Sequence, residues 1–511
     1  MKNIIKIGLK TKIGEIAEVK TDMLAVGVFS DAKGLSKTNA AIDAKLGGAI
    51  KKLMSLGDFK AKEASSALVY GNGGIARVLL VGLGEAGKVS IETVRNAAAL
   101  AAGKAVDLAT ADCVIALAAE CGDKLAADNM GTAMAEGAYF GGYRYDEFVS
   151  GEGRSKSLKV TIVEPDNAKF RELAKGVTIG AILGQAQSFA RTIANRPANV
   201  VNPPELAEIA KKVAKEAGLG CEIFDLAKLK QKKMGSILAV GSGSKSEPRL
   251  IVLRYKAKRA AGGKVPVIGL VGKAITFDSG GISIKPSAGM QDMKLDKSGG
   301  ISVLGAMRAI AALKPEADVI GIIPSAENMP GGTSYRPGDI ITTYSGKTVE
   351  IHSTDAEGRM VLCDGLQYAV EQKCEQIVDI ATLTGACMVA LGKYKAGLMG
   401  NDDGIIAALE KASAQSGEKV WHLPSGDEYL DEMKSKIADL KNLGSRWGGA
   451  CTAAAFLGSF VGDTKWAHID MAGVDMFEEG EKFASVGASG FGVRLLTTFV
   501  LNAAGKIKNK K

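Results

Sequence analysis

The chain has 511 residues, room for about three domain-sized units at roughly 150 residues each, or for two larger ones. Its 46% hydrophobic and 24% charged residues are the composition of a soluble globular protein with ample material for a core, and its 64 glycines follow no G-x-y period, which excludes collagen. The net charge of +9 is uneven: residues 1–300 carry 44 basic and 30 acidic groups, a net of +14, and residues 301–511 carry 21 and 26, a net of −5. Solvated lysine-rich helix faces account for that excess more readily than a polyanionic partner does.

The opening MKNIIKIGLKTK carries lysines through its apolar part and does not read as a secretory signal. Apolar runs at 22–29 and 76–82 predict strands and 93–107 predicts a helix, so residues 1–165 read as an N-terminal α/β domain with a largely parallel sheet. Gly82-Leu-Gly-Glu-Ala-Gly87 fits G-x-G-x-x-G after a strand, which is half of a dinucleotide fingerprint. The other half fails: Lys88 and Val89 intervene and Ser90 reads as the N-cap, so the helix opens beyond the last glycine. Helical residues 168–192 run into Asn195-Arg-Pro-Ala-Asn199 and Asn202-Pro-Pro204, which stop a helix, and residues 166–200 are taken as a linking helix. From 201 to 511 the alternation restarts as a larger C-terminal α/β domain with a mixed, largely parallel sheet, with strands at 266–272, 318–323 and 376–381 and a helix at 300–313.

The longest uncharged stretch, 447–462, falls short of the ~18 apolar residues of a membrane span, so no membrane association is expected. The 7 cysteines are odd in number and form no C-x-x-C pair, a pattern that suits reduced thiols in the cytoplasm. None of the 3 histidines belongs to an H-E-x-x-H, which excludes a zincin site.

Chemistry concentrates between residues 273 and 359. After the strand at 266–272 come Lys273-Ala-Ile-Thr-Phe-Asp278-Ser-Gly-Gly-Ile-Ser-Ile-Lys285 and Met293-Lys-Leu-Asp296, and further on His352-Ser-Thr-Asp355-Ala-Glu357-Gly-Arg359. Four carboxylates gathered at the carboxyl edge of an α/β sheet repel one another unless cations hold them together. Two divalent ions about 3.5–4 Å apart, bridged by shared carboxylates, are one solution. The alternative is that these acids cap helices and pair with Lys273, Lys285 and Arg359. Two glycine-flanked, charge-dense loops favour the metals.

These segments resemble the leucyl (cytosol) aminopeptidases, two-metal exopeptidases with the signature N-T-D-A-E-G-R-L. The resemblance lies in residues 271–296, Ser353-Thr-Asp-Ala-Glu-Gly-Arg359, Asp379-Ile-Ala-Thr-Leu-Thr-Gly-Ala-Cys387, Asn195-Arg-Pro-Ala-Asn199, Trp466-Ala-His-Ile-Asp-Met-Ala-Gly473 and Gly490-Phe-Gly-Val-Arg-Leu-Leu496. It covers essentially residues 190–500, while the first 165 residues resemble the family's variable N-terminal domain in architecture only.

The resemblance implies two ions, Mn²⁺ or Zn²⁺, in each subunit. Asp278 and Glu357 would bridge them, Asp355 would bind the more exchangeable ion and Asp296 the tighter one. Lys273 would be a neutral amine ligand, although unperturbed it is a salt-bridge lysine. Lys285 would polarise the scissile carbonyl and stabilise the oxyanion, and Arg359 would hold a bicarbonate that serves as general base. The free α-amine of a peptide would bind near Asp278. Met293, Thr382, Gly385 and Ala472 match positions lining the first-residue pocket, which suggests leucine or another apolar residue. Asp475 stands where some relatives are apolar, so a preference beyond leucine stays open. Ser353 and Met360 depart from the signature's Asn and Leu, and His468 reads as structural.

The expected protein is a cytoplasmic aminopeptidase acting on peptides with a free N-terminus, and by resemblance a homohexamer. Three other readings remain. An additional DNA-binding or regulatory role, found in some bacterial relatives, is permitted by the basic first 300 residues. A nicotinamide enzyme would rest on Gly82–Gly87, and phosphoester hydrolysis would use the same two metals.

Overall fold

The computed structural model describes residues 5–71, 74–122, 124–150, 157–258, 264–479 and 483–505. The chain folds as two units, residues 1–188 with 477–486, and residues 189–476 with 487–511.

In the first unit β1 (Lys6–Ile13), β2 (Leu24–Val28), β3 (Ser66–Tyr70), β4 (Arg77–Gly82), β5 (Asp112–Ala116) and β6 (Ser157–Glu164) form one sheet in the order β1-β6-β5-β2-β4-β3. Only β3, against β4, is antiparallel. The helices are α1 (Lys37–Lys45), α2 (Ala49–Ser55), α3 (Ile91–Asp107), α4 (Ala118–Cys121) and α5 (Ala127–Gly142). β2 and β4 are continuous apolar runs because both faces of the sheet are covered. Ala25, Leu79 and Val81 pack with Val94 and Ala98 of α3, whereas Leu24, Val26, Val78 and Leu80 pack with Ile42 of α1 and Ile50 of α2. The glycine motif after β4 is a strand-to-helix turn. Gly84 has φ +71°, and α3 opens only at Ile91, behind a capping box of Ser90 and Thr93. The chain then continues through α6 (Asn167–Asn195) into the second unit.

There, Asn202 caps α7 (Pro203–Ala217), whose prolines occupy the first turn, where no N–H is needed. It is followed by β7 (Gly220–Phe224), α8 (Leu226–Gln231), α9 (Gly235–Val240), β8 (Arg249–Tyr255), β9 (Val267–Gly272), β10 (Ala274–Asp278), α10 (Ser298–Leu313) and β11 (Asp318–Asn328). The small strands β12 (Ile340–Thr342) and β13 (Thr348–Glu350) precede α11 (Glu357–Glu371), β14 (Gln376–Ala381), α12 (Gly385–Leu391), β15 (Ala396–Gly400), β16 (Val420–His422), β17 (Leu440–Lys441) and β18 (Lys465–Asp470). The main sheet runs β16-β15-β18-β14-β9-β11-β8-β7, with β10 also pairing β11. Its centre, β18-β14-β9-β11 with β10, is parallel, while β15, β8 and β7 join antiparallel. The sheet is therefore mixed and parallel at its centre. The carboxyl ends of β9, β10, β14 and β18 lie along one edge, where an α/β sheet builds its sites.

Candidate metal centre and active site

Four of the chemically suggestive residues sit beside a strand end or a helix start, while Lys285 and Asp355 lie in the loops that follow β10 and precede α11. Lys273 lies between β9 and β10, Asp278 closes β10, Asp296 precedes α10 after the 3₁₀ turn Met290–Leu295, and Glu357 is the first residue of α11. Two glycines allow these segments to converge. Gly280 has φ +85°, and a Cβ there would lie 2.3 Å from the Ser283 carbonyl and 2.9 Å from Asp355 Oδ1. A Cβ on Gly358 would lie 2.6 Å from Lys273 Nζ.

Lys273 Nζ is 2.9 Å from Asp296 Oδ1 and 2.8 Å from Glu357 Oε1, and it donates to the Thr382 carbonyl at 2.8 Å. Lys285 Nζ is 2.8 Å from Asp278 Oδ2 and 2.5 Å from Asp355 Oδ1. Asp278, Asp355 and Glu357 each bring a ligand oxygen within 4.8 Å of the others. Burial works against the charge on Lys273, but Asp296, Glu357 and Asp278 outweigh it and hold its pKa above the ordinary lysine value, so it stands as a salt-bridged ammonium. Burial, then Asp278, push Glu357 up to about 8, and burial pushes Asp296 up to about 6.

Several residues that frame these groups are not marked by any local sequence signal. Asn328 donates to Asp278 Oδ1 at 2.8 Å and to the Thr354 carbonyl at 3.0 Å, and Tyr335 donates to that same carbonyl at 2.8 Å. Asn442 Oδ1 accepts from His352 N–H at 2.8 Å, its amide donates to the Ser353 carbonyl at 2.6 Å, and its own carbonyl accepts from Arg359 at 2.8 Å. Ser353, the departure from the family signature, accepts from Asp355 N–H through Oγ at 3.2 Å.

Asp470 accepts from Leu383 N–H at 3.1 Å, Thr384 N–H at 3.4 Å, the Thr384 hydroxyl at 2.7 Å and Ala472 N–H at 3.2 Å, which fastens together the turns after β14 and β18. These turns carry Thr382, Gly385 and Ala472, and the Thr382 hydroxyl reaches Asp296 Oδ1 at 2.6 Å. Met293, in the 3₁₀ turn before Asp296, is half-buried. His468 lies inside β18, fully buried, with Nδ1 2.6 Å from Asp379 Oδ1, and Trp466 donates to the other oxygen of Asp379 at 2.6 Å.

Divalent ions fit this donor set. Four acids converge and, among the described residues, two lysines form ion pairs with them, so the carboxylates outnumber the lysines that touch them. Asp296 Oδ2 and Glu357 Oε2 are buried without a hydrogen-bond partner, a costly arrangement unless a cation satisfies them. An anion fits Arg359. Its guanidinium is buried, Nε has no partner, no carboxylate pairs with it among the described residues, and burial pulls its pKa down to about 10.

Residues 188–497 match the catalytic domain of the cytosol aminopeptidase family, and residues 25–152 match that family's N-terminal domain. Over 489 residues the chain is 41% identical to a "Probable cytosol aminopeptidase" of Solibacter usitatus (strain Ellin6076), covering 95% of this chain and 98% of the relative. A relative with the same description from Aquifex aeolicus (strain VF5) is 41% identical over 498 residues, covering 96% and 98%. Among solved structures, a mutant tomato leucine aminopeptidase superposes with a TM-score of 0.88 at 32% identity, covering 98% of each chain. The bottromycin maturation enzyme BotP in complex with Mn superposes with a TM-score of 0.84 at 34% identity, covering 95% of this chain and 100% of that one.

Proposed function

The chain belongs to the cytosol aminopeptidase family, and on that premise we propose that it is a two-metal enzyme that removes leucine and other apolar residues from the free N-termini of peptides. The observation that carries this reading is the convergence of Asp278, Asp296, Asp355 and Glu357 with Lys273 at one sheet edge, two of the buried carboxylate oxygens being unpartnered. Asp278, Asp355 and Glu357 would hold one ion and Asp296, Glu357, Asp278 and a neutral Lys273 the other, with Glu357 and Asp278 shared. When bound, the ions supply Lewis acidity and a nucleophile at neutral pH.

The protein's own groups do the rest. Asp278 lies where the substrate's ammonium or amine would be received, which restricts cleavage to the first residue. Lys285, its side chain 22% exposed, presents its ammonium to the scissile carbonyl and stabilises the oxyanion as negative charge develops. Arg359 would hold a bicarbonate, which when bound would supply a general base. Met293, Thr382, Gly385 and Ala472 line the pocket for the first side chain.

The test is hydrolysis of leucine p-nitroanilide by protein stripped with chelator and resupplied with Mn²⁺, Zn²⁺ or Mg²⁺, with N-acetyl-leucine p-nitroanilide as control. Activity should return with metal and vanish on acetylation. Hydrolysis indifferent to chelation, or equal on the acetylated compound, would refute the reading.

A further inference from the structure

We propose that the first unit carries a binding site of its own, for a small molecule with a primary ammonium and a short apolar body, in the cavity at the carboxyl ends of β2 and β5. It uses none of the residues of the metal centre and stands or falls independently of the function proposed above.

β2 and β5 are neighbouring parallel strands in the middle of the first sheet. From β2 the chain goes on to β3 and β4 on one side, and from β4 it returns past β2 to β5 on the other. The loops leaving the two carboxyl ends therefore part, which is where an open α/β sheet leaves a crevice for a ligand. Here the crevice is a cavity of about 240 Å³. Pockets for drug-sized ligands hold roughly 300–1,000 Å³, so this one suits a smaller molecule. Phe29 and Leu35, which follow β2, give it an apolar wall, and Ser36, Asn39 and Glu120 give it polar groups. Glu120 lies over the end of β2, its Cγ 3.6 Å from where a Cβ on Gly27 would stand.

Toward a ligand these polar groups are acceptors. Asn39 is 2% exposed, and its Nδ2 donates to the Gly27 carbonyl at 2.9 Å, which fixes the direction of the amide. Its Oδ1 is buried without a hydrogen-bond partner. The Ser36 hydroxyl gives its one proton to Glu120 and accepts from Asn39 N–H at 3.1 Å. Among the described residues no cation pairs with Glu120. A buried acceptor left unmade and an acid left unpaired are both costly, so the ligand that fits brings donors and positive charge. An ammonium brings three N–H donors and a full charge, and can satisfy Asn39 Oδ1 and Glu120 together. An anion would be repelled by Glu120. The apolar wall calls for hydrocarbon beside the cationic head. A free amino acid and a simple alkylamine both have this form.

The experiment measures binding by equilibrium dialysis to the chelator-stripped full chain, so that no metal captures the amine. The probes are L-leucine, isoamylamine, which lacks the carboxylate, and isocaproate, which lacks the ammonium. One molecule of leucine or of the amine should bind per chain at millimolar concentration or below, and isocaproate should not bind. Glu120→Gln and Leu35→Trp should each weaken that binding ~10–100-fold, whereas Asp278→Asn should leave it unchanged. Hydrolysis of leucine p-nitroanilide by the Mn²⁺-loaded Glu120→Gln chain, at the wild-type rate, would show that this variant folds. Tighter binding of leucine than of isoamylamine identifies the ligand as a free amino acid, and the reverse identifies it as an alkylamine. No binding of either amine, equal binding of isocaproate, or binding that Glu120→Gln leaves intact overturns the inference. The comparison of the three probes on the wild-type chain decides even if a variant does not fold. None of these outcomes bears on the aminopeptidase reading.

Discussion

Lys285 touches two acids at once and is the least enclosed of the two site lysines, its side chain 22% exposed against 3% for Lys273. On the proposed reading, that difference separates a lysine that would face substrate from one locked among carboxylates. Replacing Lys285 by Ala is expected to lower kcat ~10²–10³-fold, the usual loss for one oxyanion donor, while bound metal measured by mass spectrometry stays near the wild-type stoichiometry. Gly358→Ala probes Lys273 from the other direction. The new methyl group would displace the lysine from beside Glu357, and Mn²⁺ affinity by titration calorimetry should weaken ~10–100-fold. At this scale the charged residues were legible because they fall in two short motifs. Asn442, which bridges His352, Ser353 and Arg359, lies more than eighty residues from the groups it holds, and no local pattern marks it.

Among the helices, α11 joins catalysis to the core. Its first turn carries Glu357 and Arg359, and one turn further Asp364 is fully buried, accepting from Ser236 N–H at 3.1 Å, Ile237 N–H at 3.0 Å and Tyr344 N–H at 2.8 Å. The helix is thereby pinned to the start of α9 and to the loop between β12 and β13. Burial pushes the Asp364 carboxyl up to about 7, against the pull of those N–H groups. Since that lies above the ordinary aspartate value, the folded chain keeps the proton longer than the unfolded chain between pH ~4 and ~7, and the stability this group contributes falls as pH rises through that window. Asp364→Ala should cost about 3 kcal/mol in denaturant unfolding, because three buried donors lose their acceptor, and should flatten the pH dependence of stability between pH ~4 and ~7. The strands and helices themselves were readable from apolar periodicity, as with the helix that opens at Ile91 behind Ser90 and not within the glycine motif. The antiparallel edges of the main sheet were not, since an apolar run looks the same in either direction.

Across the whole molecule, a site with more converging carboxylates than lysines that touch them is expected to gain stability when it binds cations. Adding Mn²⁺ at about 100 times its Kd to chelator-stripped protein should stabilise it by about 2.7 kcal/mol per site, seen as a rise in Tm, and Asp278→Asn should abolish most of that rise. Among the described residues no helix is long and apolar enough to cross a membrane. Val389, Tyr394, Ile437 and Trp447 are large apolar side chains exposed on the second unit. The homohexamer that the family resemblance implies predicts six times the subunit mass in light scattering, whereas a monomer mass would exclude it.

The sequence by itself determined the two α/β units, the family and the identity of the charged residues, because periodicity, helix caps and the Ser353–Arg359 motif are properties of neighbours along the chain. Only the tertiary structure decided which charges meet. The pairing of β9, β14 and β18 brings Lys273, Thr382 and Ala472 to one edge, and burial there leaves Asp296 and Glu357 with unpartnered oxygens. Charge compensation in a low-dielectric cleft depends on distances across the fold, and those are set by how the strands pair and pack.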